Sequence, residues 1–550
     1  MQKLQVYAVQ EKGQFRLGLA RNPLNLRDLL LEKAGPAWIL TGPAPSYEAY
    51  ALFGQWKKRL RGFLAPWWKW SLSFRHRRQG GAAEQGQLGR DALTFILELV
   101  RGRILTERYL MKALREKGFW PADVSRALDQ GVYKKALLQF PGIRRDSWGR
   151  LVCNRCNSET VLNRPCSSCG SLQCPICPEC SSLGPNRGCT TLIAVPAPAG
   201  SGPVKPVSWQ FSHQLTRAQR GAARELLKFW HGPQSQALVW AACGAGKTEV
   251  SFPLIAEALS RGFQVLFAIP RLDIVKEMAQ RLQNAFPQAA LAVHHGGRPI
   301  LVPGNLVVAT THQVLRFYRR FALVILDEVD AFPYQGSEAL RFGLKRAMAP
   351  GGKLVEMTAT PASVQRRKAL ITIPARFHGH PLPVPQIMIR PLPPWEDLAA
   401  RPLPGEITTV LENERHPWLI FAPTIASCQA VFRCLRLGSA KKVALCHSQA
   451  PQRETTIQQL RGGFLDIVVS TSILERGVNF PGIGVIVLYA HHPIFTRSTL
   501  VQMAGRVGRA ADAPEGTVLF IGERATAAMR EAVQLIQKLN REAAEKGLLL

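Results

Sequence analysis

Twelve cysteines occur in 550 residues, and eight of them crowd into one short stretch: Cys153, Cys156, Cys166, Cys169, Cys174, Cys177, Cys180 and Cys189. Thiols spaced as CxxC pairs are the ligand set of a structural Zn²⁺ site, which takes four thiolates in a tetrahedron, usually from two such knuckles. The simplest pairing makes two sites, 153/156/166/169 and 174/177/180/189. An interleaved pairing sets Cys153/Cys156 against Cys177/Cys180. Either way one or two Zn²⁺ ions are expected. So small a segment has little core, so the metal supplies its folding energy.

A second group of residues suits phosphate chemistry. In CGAGKTE (243–249), Gly244, Ala245 and Gly246 let backbone N–H groups approach phosphate oxygens. Lys247 can reach the β- and γ-phosphates of ATP, and the Thr248 hydroxyl can ligate Mg²⁺, with Glu249 completing the run. Ala241 stands where a strict GxxxxGK[ST] match needs its first Gly, but the phosphate-binding groups remain. ALVILDEVDAF (322–332) ends an apolar run in Asp327 and Glu328. Asp327 is the second candidate Mg²⁺ ligand, and Glu328 is the candidate base for the attacking water. QMAGRVGRA (502–510) carries Arg506 and Arg509. Charge on a transferring phosphoryl needs a cation, and guanidinium forks suit phosphate oxygens. An arginine on a separate lobe completes the site only when the lobes close, so ATP state would control the cleft between them.

These residues need elements to hold them. ALVWAA, FQVLFAIP, NLVVATT, ALVILDE and KLVEMTAT each read as a buried parallel strand, with helical patterns between them. The alternation stops at HPLPVPQIMIRPLPPW (380–395) and resumes with WLIFAPT, KKVALCHS, DIVVSTS and GVIVLYA. Two successive α/β units joined by a linker predict two similar lobes. The predicted division is 1–150, a basic and partly helical domain; 151–192, the metal module; 193–208, a linker; 209–377, lobe one; 378–404, a Pro-rich linker; and 405–550, lobe two ending in a surface helix. Apolar residues at helical spacing over 91–140 predict two or three packed helices. APWWKWSLSFRHRRQGG (65–81) sets tryptophans among cations, a pattern that fits base stacking or a surface turn over buried rings.

Composition narrows the partner. Lys and Arg number 70 against 38 Asp and Glu, a net +32, which favours a polyanion such as nucleic acid or an anionic membrane face. Hydrophobic residues make up 46%, which excludes wholesale disorder. The first twenty residues lack the apolar core of a signal peptide, and no run of about 20 apolar residues occurs. A cytoplasmic protein with reduced thiols is expected, which favours metal over disulfides.

In order along the chain, QLTRAQ (214–219), AACGAGKTE, DEVD (327–330), TATP (358–361), STSILERGVNFPG (470–482) and QMAGRVGRA resemble the motifs of a superfamily 2 helicase. That resemblance implies an α/β fold of two tandem RecA-like lobes, parallel sheets with helices on both faces. It implies that Gln219 reads the adenine edge and that Thr358 and Thr360 couple hydrolysis to lobe movement. It implies that Gln502, Arg506 and Arg509 reach the nucleotide from the second lobe. DEVDAFPY, LERGVNFPG, HPLPVP and the Cys cluster ahead of the motor further resemble the ComFA-type late competence proteins. This implies an ATPase stimulated by single-stranded DNA that pulls DNA through a membrane channel of the ComEC type during natural transformation. Other late competence proteins would be partners, and a peripheral position at the inner face of the membrane follows. Four cysteines suffice in that family, and only the interleaved knuckles would match them.

Other readings compete. A primosomal replication-restart helicase is also basic and also carries eight zinc-binding cysteines, but within its second lobe. A non-catalytic zinc-dependent scaffold on nucleic acid is opposed by the intact Lys247, Asp327, Glu328 and Arg509. Lys276, Arg281, Thr310 and Thr311 flank predicted strands where such motors grip phosphates, whereas His294, His295, His447, Cys243, Cys428, Cys434 and Cys446 read as structural. These motifs hold a phosphate backbone more than a base, so the choice of DNA over RNA rests on the resemblance.

Overall fold

The computed structural model describes residues 3–11, 14–21, 37–39, 44–45, 49, 52–53, 55 and 92–550, the last apart from 198–199, 201–204, 212, 297–301, 362–368, 415, 451 and 476–479. The tryptophan-rich stretch 65–81 lies outside the described residues.

Lobe one is built on seven parallel strands. Their spatial order is Leu291–His294, Leu306–Thr310, Val265–Ile269, Phe321–Leu326, Met348–Thr358, Gln236–Ala241 and Ala369–Ile373. The apolar runs are continuous because both faces are covered. Val265, Phe267 and Ile269 enter one core while Leu266 and Ala268 enter the other, as strand alternation requires. Lobe two has six parallel strands in the order Gln386–Ile389, Val518–Gly522, Gly484–Leu488, Trp418–Phe421, Ile467–Ser470 and Val443–Cys446. The strand Gln386–Ile389 lies within the stretch read as a Pro-rich linker. Proline excludes strands only where an N–H is needed, and the prolines at 381, 383 and 385 stop short of the ladder.

The C-terminal helix Ala527–Glu545 lies on the surface with one apolar face turned inward. It buries Met529, Ala532, Ile536 and Leu539 in an apolar cluster shared by both lobes. Its polar side reaches lobe one: Glu542 accepts from Thr372 Oγ1 at 3.1 Å, and Lys538 lies over Trp240. Asn540 both donates to and accepts from the Leu382 backbone at 2.8 Å.

Ahead of the lobes, the strand Thr191–Val195 lies between Arg103–Thr106 and Leu138–Pro141, antiparallel to both. It occupies the start of the segment predicted as a linker. A helical run over 92–100 and the helices Glu107–Arg115 and Pro121–Tyr133 occupy the region read as two or three packed helices; β-branched Ile104 and Thr106 mark the strand between the first two. Arg21 pairs with Glu107 and Asp129 at 2.5 and 2.7 Å, tying the opening strands Lys3–Glu11 and Gln14–Ala20 to those helices. The cysteine module projects between Pro141 and Thr191, which are themselves cross-strand partners.

Candidate active site and metal centres

Ala241 is still part of its strand, paired with Ile373 and fully buried, so the missing first glycine is not needed for a turn. The turn begins two residues later, where Gly244 and Gly246 take φ of +83° and +75°. A Cβ on Gly246 would run into Gln219 Nε2. Helix Lys247–Val250 starts immediately behind, aiming its N-terminus and Lys247 at the loop's hollow. Gln219 caps its own helix, accepting from Thr216 N at 2.9 Å, and donates to Ala245 O at 2.9 Å. Its amide therefore braces the phosphate loop. Glu249 lies beside that loop but pairs with Arg281, so Arg281 is engaged by a carboxylate rather than free on a nucleic-acid face.

Asp327 and Glu328 follow the strand Phe321–Leu326 at its C-terminal end, level with the phosphate loop. Asp327 is buried, which pushes its carboxyl above the usual range, while Lys247 opposes that shift. Its Oδ1 accepts from Glu328 N at 2.9 Å. Glu328 sits at φ +54°, a conformation that costs energy for a residue with a Cβ and turns the chain sharply after the strand. A buried carboxylate beside a lysine and the buried Thr248 suits a hydrated Mg²⁺ held by Thr248 and Asp327.

Lobe two closes over this surface. Gln502 Oε1 lies 3.6 Å from the Cys243 thiol, and Gly505 packs so tightly on Cys243 that a Cβ would collide with it. Arg506 is fully buried, donates to Glu475 O at 2.9 Å and interacts with Glu328. Burial holds its guanidinium well below the ordinary pKa. Arg509 is half-buried and donates to Gly505 O at 3.2 Å. Gln502 and Arg506 thus meet the phosphate loop and the acidic pair, while Arg509 stands at the margin.

Two residues at this closure, Ser498 and Arg376, carried no motif signal, and the first meets Asp330, the last residue of DEVD. Asp330 accepts from Thr358 Oγ1 (2.8 Å), Thr360 Oγ1 (2.8 Å) and, across the lobes, Ser498 Oγ (2.6 Å). Arg376, in the segment between the lobes, donates to Cys243 O at 3.2 Å and to Val507 O at 2.7 Å, and also binds Gly508 O. Burial lowers its pKa to about 10. Of the remaining candidates, Lys276 is exposed, Thr310 caps the helix Thr311–Val314, and the buried His447 accepts from Gln449 N at 3.2 Å. Cys428 and Cys446 are core residues.

The eight cysteines form two groups, Cys153/Cys156/Cys177/Cys180 and Cys166/Cys169/Cys174/Cys189, each with its sulfurs within 4.8 Å of one another. This is the interleaved arrangement, and the contiguous pairing is excluded by strand geometry. Cys174 and Cys177 bound one short strand, and residues three apart on a strand face opposite sides, so they enter different groups. Printed on the chain as equivalents, Cys153–Asn157 and Cys166–Gly170 make the same turn: each ends at positive φ, and each first cysteine accepts at its carbonyl from the fifth residue, at 2.8 Å. Sulfur separations of 3.5 to 3.9 Å match the edge of a Zn²⁺–thiolate tetrahedron, about 3.8 Å for bonds of about 2.3 Å. Arg155 donates to Cys180 Sγ (3.1 Å), Asn186 to Cys153 Sγ (3.1 Å) and Arg187 to Cys166 Sγ (2.8 Å), as thiolate ligands require. The first group belongs to lobe one's own apolar cluster; the second stands away from it.

Comparison with known proteins follows the same division. Residues 212–363 match the model described as type III restriction enzyme, res subunit, and residues 403–511 match the helicase conserved C-terminal domain. The chain is 35% identical over 421 residues to competence protein ComFA of Streptococcus pneumoniae, covering 74% of this chain and 94% of that protein. It is 36% identical over 358 residues to competence protein ComFA of Bacillus subtilis, covering 62% and 75%. Against the ATP-dependent DNA helicase RecG of Synechocystis, identity is 26% over 54% of this chain and 38% of that protein. Among solved structures, S. cerevisiae Dbp5 bound to RNA and ADP BeF3 aligns with TM-score 0.43 and 16% identity, over 61% of this chain and 93% of that one. RecG bound to a three-way DNA junction aligns with TM-score 0.43 and 20% identity, over 61% and 47%.

Proposed function

Because the chain belongs to the ComFA family of competence proteins, a group of superfamily 2 helicases, we propose that it is an ATP-driven translocase that draws single-stranded DNA into the cell during natural transformation. The observation that carries this reading is the meeting, across the lobe boundary, of the phosphate loop, the Asp327–Glu328 pair and the Gln502–Arg509 helix end.

In this mechanism Lys247 and the loop amides hold the ATP phosphates. Mg²⁺ held by Thr248 and Asp327 would supply charge neutralisation on the transferring phosphoryl. Glu328 takes the proton of the attacking water as its oxygen bonds to the γ-phosphorus and the bond to the bridging oxygen breaks. Arg506, buried against Glu328, and Arg509 answer the charge that spreads over the phosphoryl oxygens. Release of the cleaved inorganic phosphate removes that charge, so the lobes lose an attraction and can separate. Alternating grips on a strand would then move it stepwise. Zn²⁺ in the Cys153/Cys156/Cys177/Cys180 group would hold the module against lobe one, and Zn²⁺ in the other group would hold the module's outer part together. A DNA-uptake channel of the ComEC type and a place at the inner membrane face complete the proposal.

The test is steady-state ATP hydrolysis without nucleic acid and then with single-stranded DNA, duplex DNA and single-stranded RNA at one salt concentration. Strong stimulation by single-stranded DNA alone, lost in Lys247→Ala, supports the translocase. Stimulation mainly by RNA reassigns the substrate, and tight DNA binding with no hydrolysis leaves a scaffold.

A further inference from the structure

A cleft of about 810 Å³ opens at the N-terminal end of lobe one's strands, between Ser235 and Met348, the opposite end of the sheet from Lys247 and Asp327. Three parts of the chain wall it: Phe140 from the N-terminal sheet, Asn154 from the cysteine module, and Tyr318, Arg319, Phe342, Lys345 and Arg346 from lobe one. Three cations and three aromatic rings line it, and no carboxylate does.

Its chemistry is laid out in pairs. The Phe140 and Tyr318 rings lie 6.0 Å apart and tilted at 47°, with Arg319 5.6 Å from the Tyr318 ring. Arg346 lies 5.3 Å from the Phe342 ring. Its Nη1 and Nη2 donate to Asn154 O and Leu315 O, and its buried Nε has no partner among the described residues. Lys345 and Arg319 are exposed. Arg346 Nε is closed to solvent, so Arg346 acts on the cleft through its charge while Arg319 and Lys345 offer the reachable donors. Cations beside aromatic faces are the combination by which proteins hold single-stranded nucleic acid, phosphate on the first and base on the second. An acidic peptide would use the cations but leave the rings idle.

From this we infer that the cleft is a second binding site for single-stranded nucleic acid, taking a phosphodiester on Arg319 and Lys345, beside the charge of Arg346, and bases against Phe140 and Tyr318. The inference rests on the proposed action on single strands and adds a place where the strand is held away from the moving lobe boundary. It also gives the cysteine module a task, since Asn154 fixes Arg346 at the cleft wall.

The experiment compares the full chain with Arg319→Glu/Lys345→Glu, both surface positions, and with Phe140→Leu, using fluorescent oligothymidylates of one short and one several-fold greater length. Melting temperatures are read alongside to show that each variant folds. The wild type should gain affinity with length. The charge reversal should erase most of that gain, about tenfold, and lower the slope of log affinity against log salt by about 1.4, the value for two single-strand phosphates. Phe140→Leu should weaken binding without changing the slope. An unchanged long-oligonucleotide affinity and slope in both variants would overturn the second site while leaving the translocase intact. Displacement by polyglutamate but not by oligothymidylate would also overturn it. A wild type that binds no oligonucleotide of either length removes the translocase reading itself, and this site with it.

Discussion

The Ser498 hydroxyl donates to Asp330 Oδ2 at 2.6 Å, joining the first turn of a lobe-two helix to the acidic loop of lobe one. Thr360 Oγ1 lies 2.7 Å from the same hydroxyl and bonds the same carboxylate oxygen. Three hydroxyls therefore converge on one buried carboxylate, and one of them leaves whenever the lobes part. A hydrogen bond to a charged group contributes about 1.5–3 kcal/mol, and about 1.4 kcal/mol is tenfold in rate. Ser498→Ala should lower nucleic-acid-stimulated hydrolysis about tenfold, with Ser498→Thr largely restoring it. Equal stimulated rates in wild type and Ser498→Ala would show that the bond plays no part in closure.

Arg376 serves the same boundary from the linker. Its guanidinium occupies carbonyls of the phosphate loop and of the Gln502–Arg509 segment together. Arg376→Met keeps much of the side-chain volume but leaves those carbonyls without donors. It should cut kcat about tenfold or more, because the contacts it removes lie at the docking of the two lobes. A lysine, with one point of charge, should rescue little. Full activity in Arg376→Met would place the docking energy elsewhere.

The two cysteine groups should behave unequally on metal loss. Released zinc, read with a chromogenic chelator, should amount to two ions per chain, one for each group of four thiols. Cys153→Ser or Cys177→Ser disturbs a cluster shared with Leu266, Phe317 and Leu344 of lobe one, so it should lower the melting temperature of the motor and its ATPase. Cys166→Ser or Cys189→Ser should remove one ion with a much smaller effect on both. Equal losses from the two groups would contradict this division.

Acid should weaken lobe one through His294. Burial, reinforced by Arg103, Arg320, Arg316 and His295, lowers its pKa from 6.5 to about 4. Between those values the unfolded chain takes up a proton that the folded chain refuses, so stability falls as pH drops from about 6.5 towards 4. From pH 7 to pH 5 the loss is about 2 kcal/mol. The ring packs edge-on to Phe317 at 5.4 Å, so His294→Gln should be less stable at pH 7 yet lose less on acidification. Urea midpoints at both pH values measure the difference, and parallel shifts in the two proteins would refute it.

Local features of the chain were the legible ones. Phe321–Leu326 and Trp418–Phe421 announce themselves because a strand covered on both faces must be apolar throughout. Lys247, Asp327 and Glu328 are equally plain, since their chemistry needs fixed neighbours in sequence. Leu291–His294 was hidden because it is an edge strand covered only on alternate residues, and Gln386–Ile389 by the prolines ahead of it. Ser498 was illegible for a different reason: its partner lies 168 residues away, and one hydroxyl on a helix has no periodic signature. Arg376 is one of 70 basic residues, and nothing local distinguishes those that are buried. The thiol grouping depended on which residues of CPIC form a strand, a matter of two-residue periodicity rather than of CxxC spacing.

Pro141 and Thr191 face each other as the last rungs of an antiparallel pair. To the sheet, everything between them is a hairpin turn. The outer part of residues 142–190, which carries the second cysteine group, can therefore lengthen, shorten or change without moving either strand, whereas the first group stays tied to lobe one's core. Insertion at such a turn gives the lineage a place to trial new surface chemistry beside the motor while the register that supports it stays fixed.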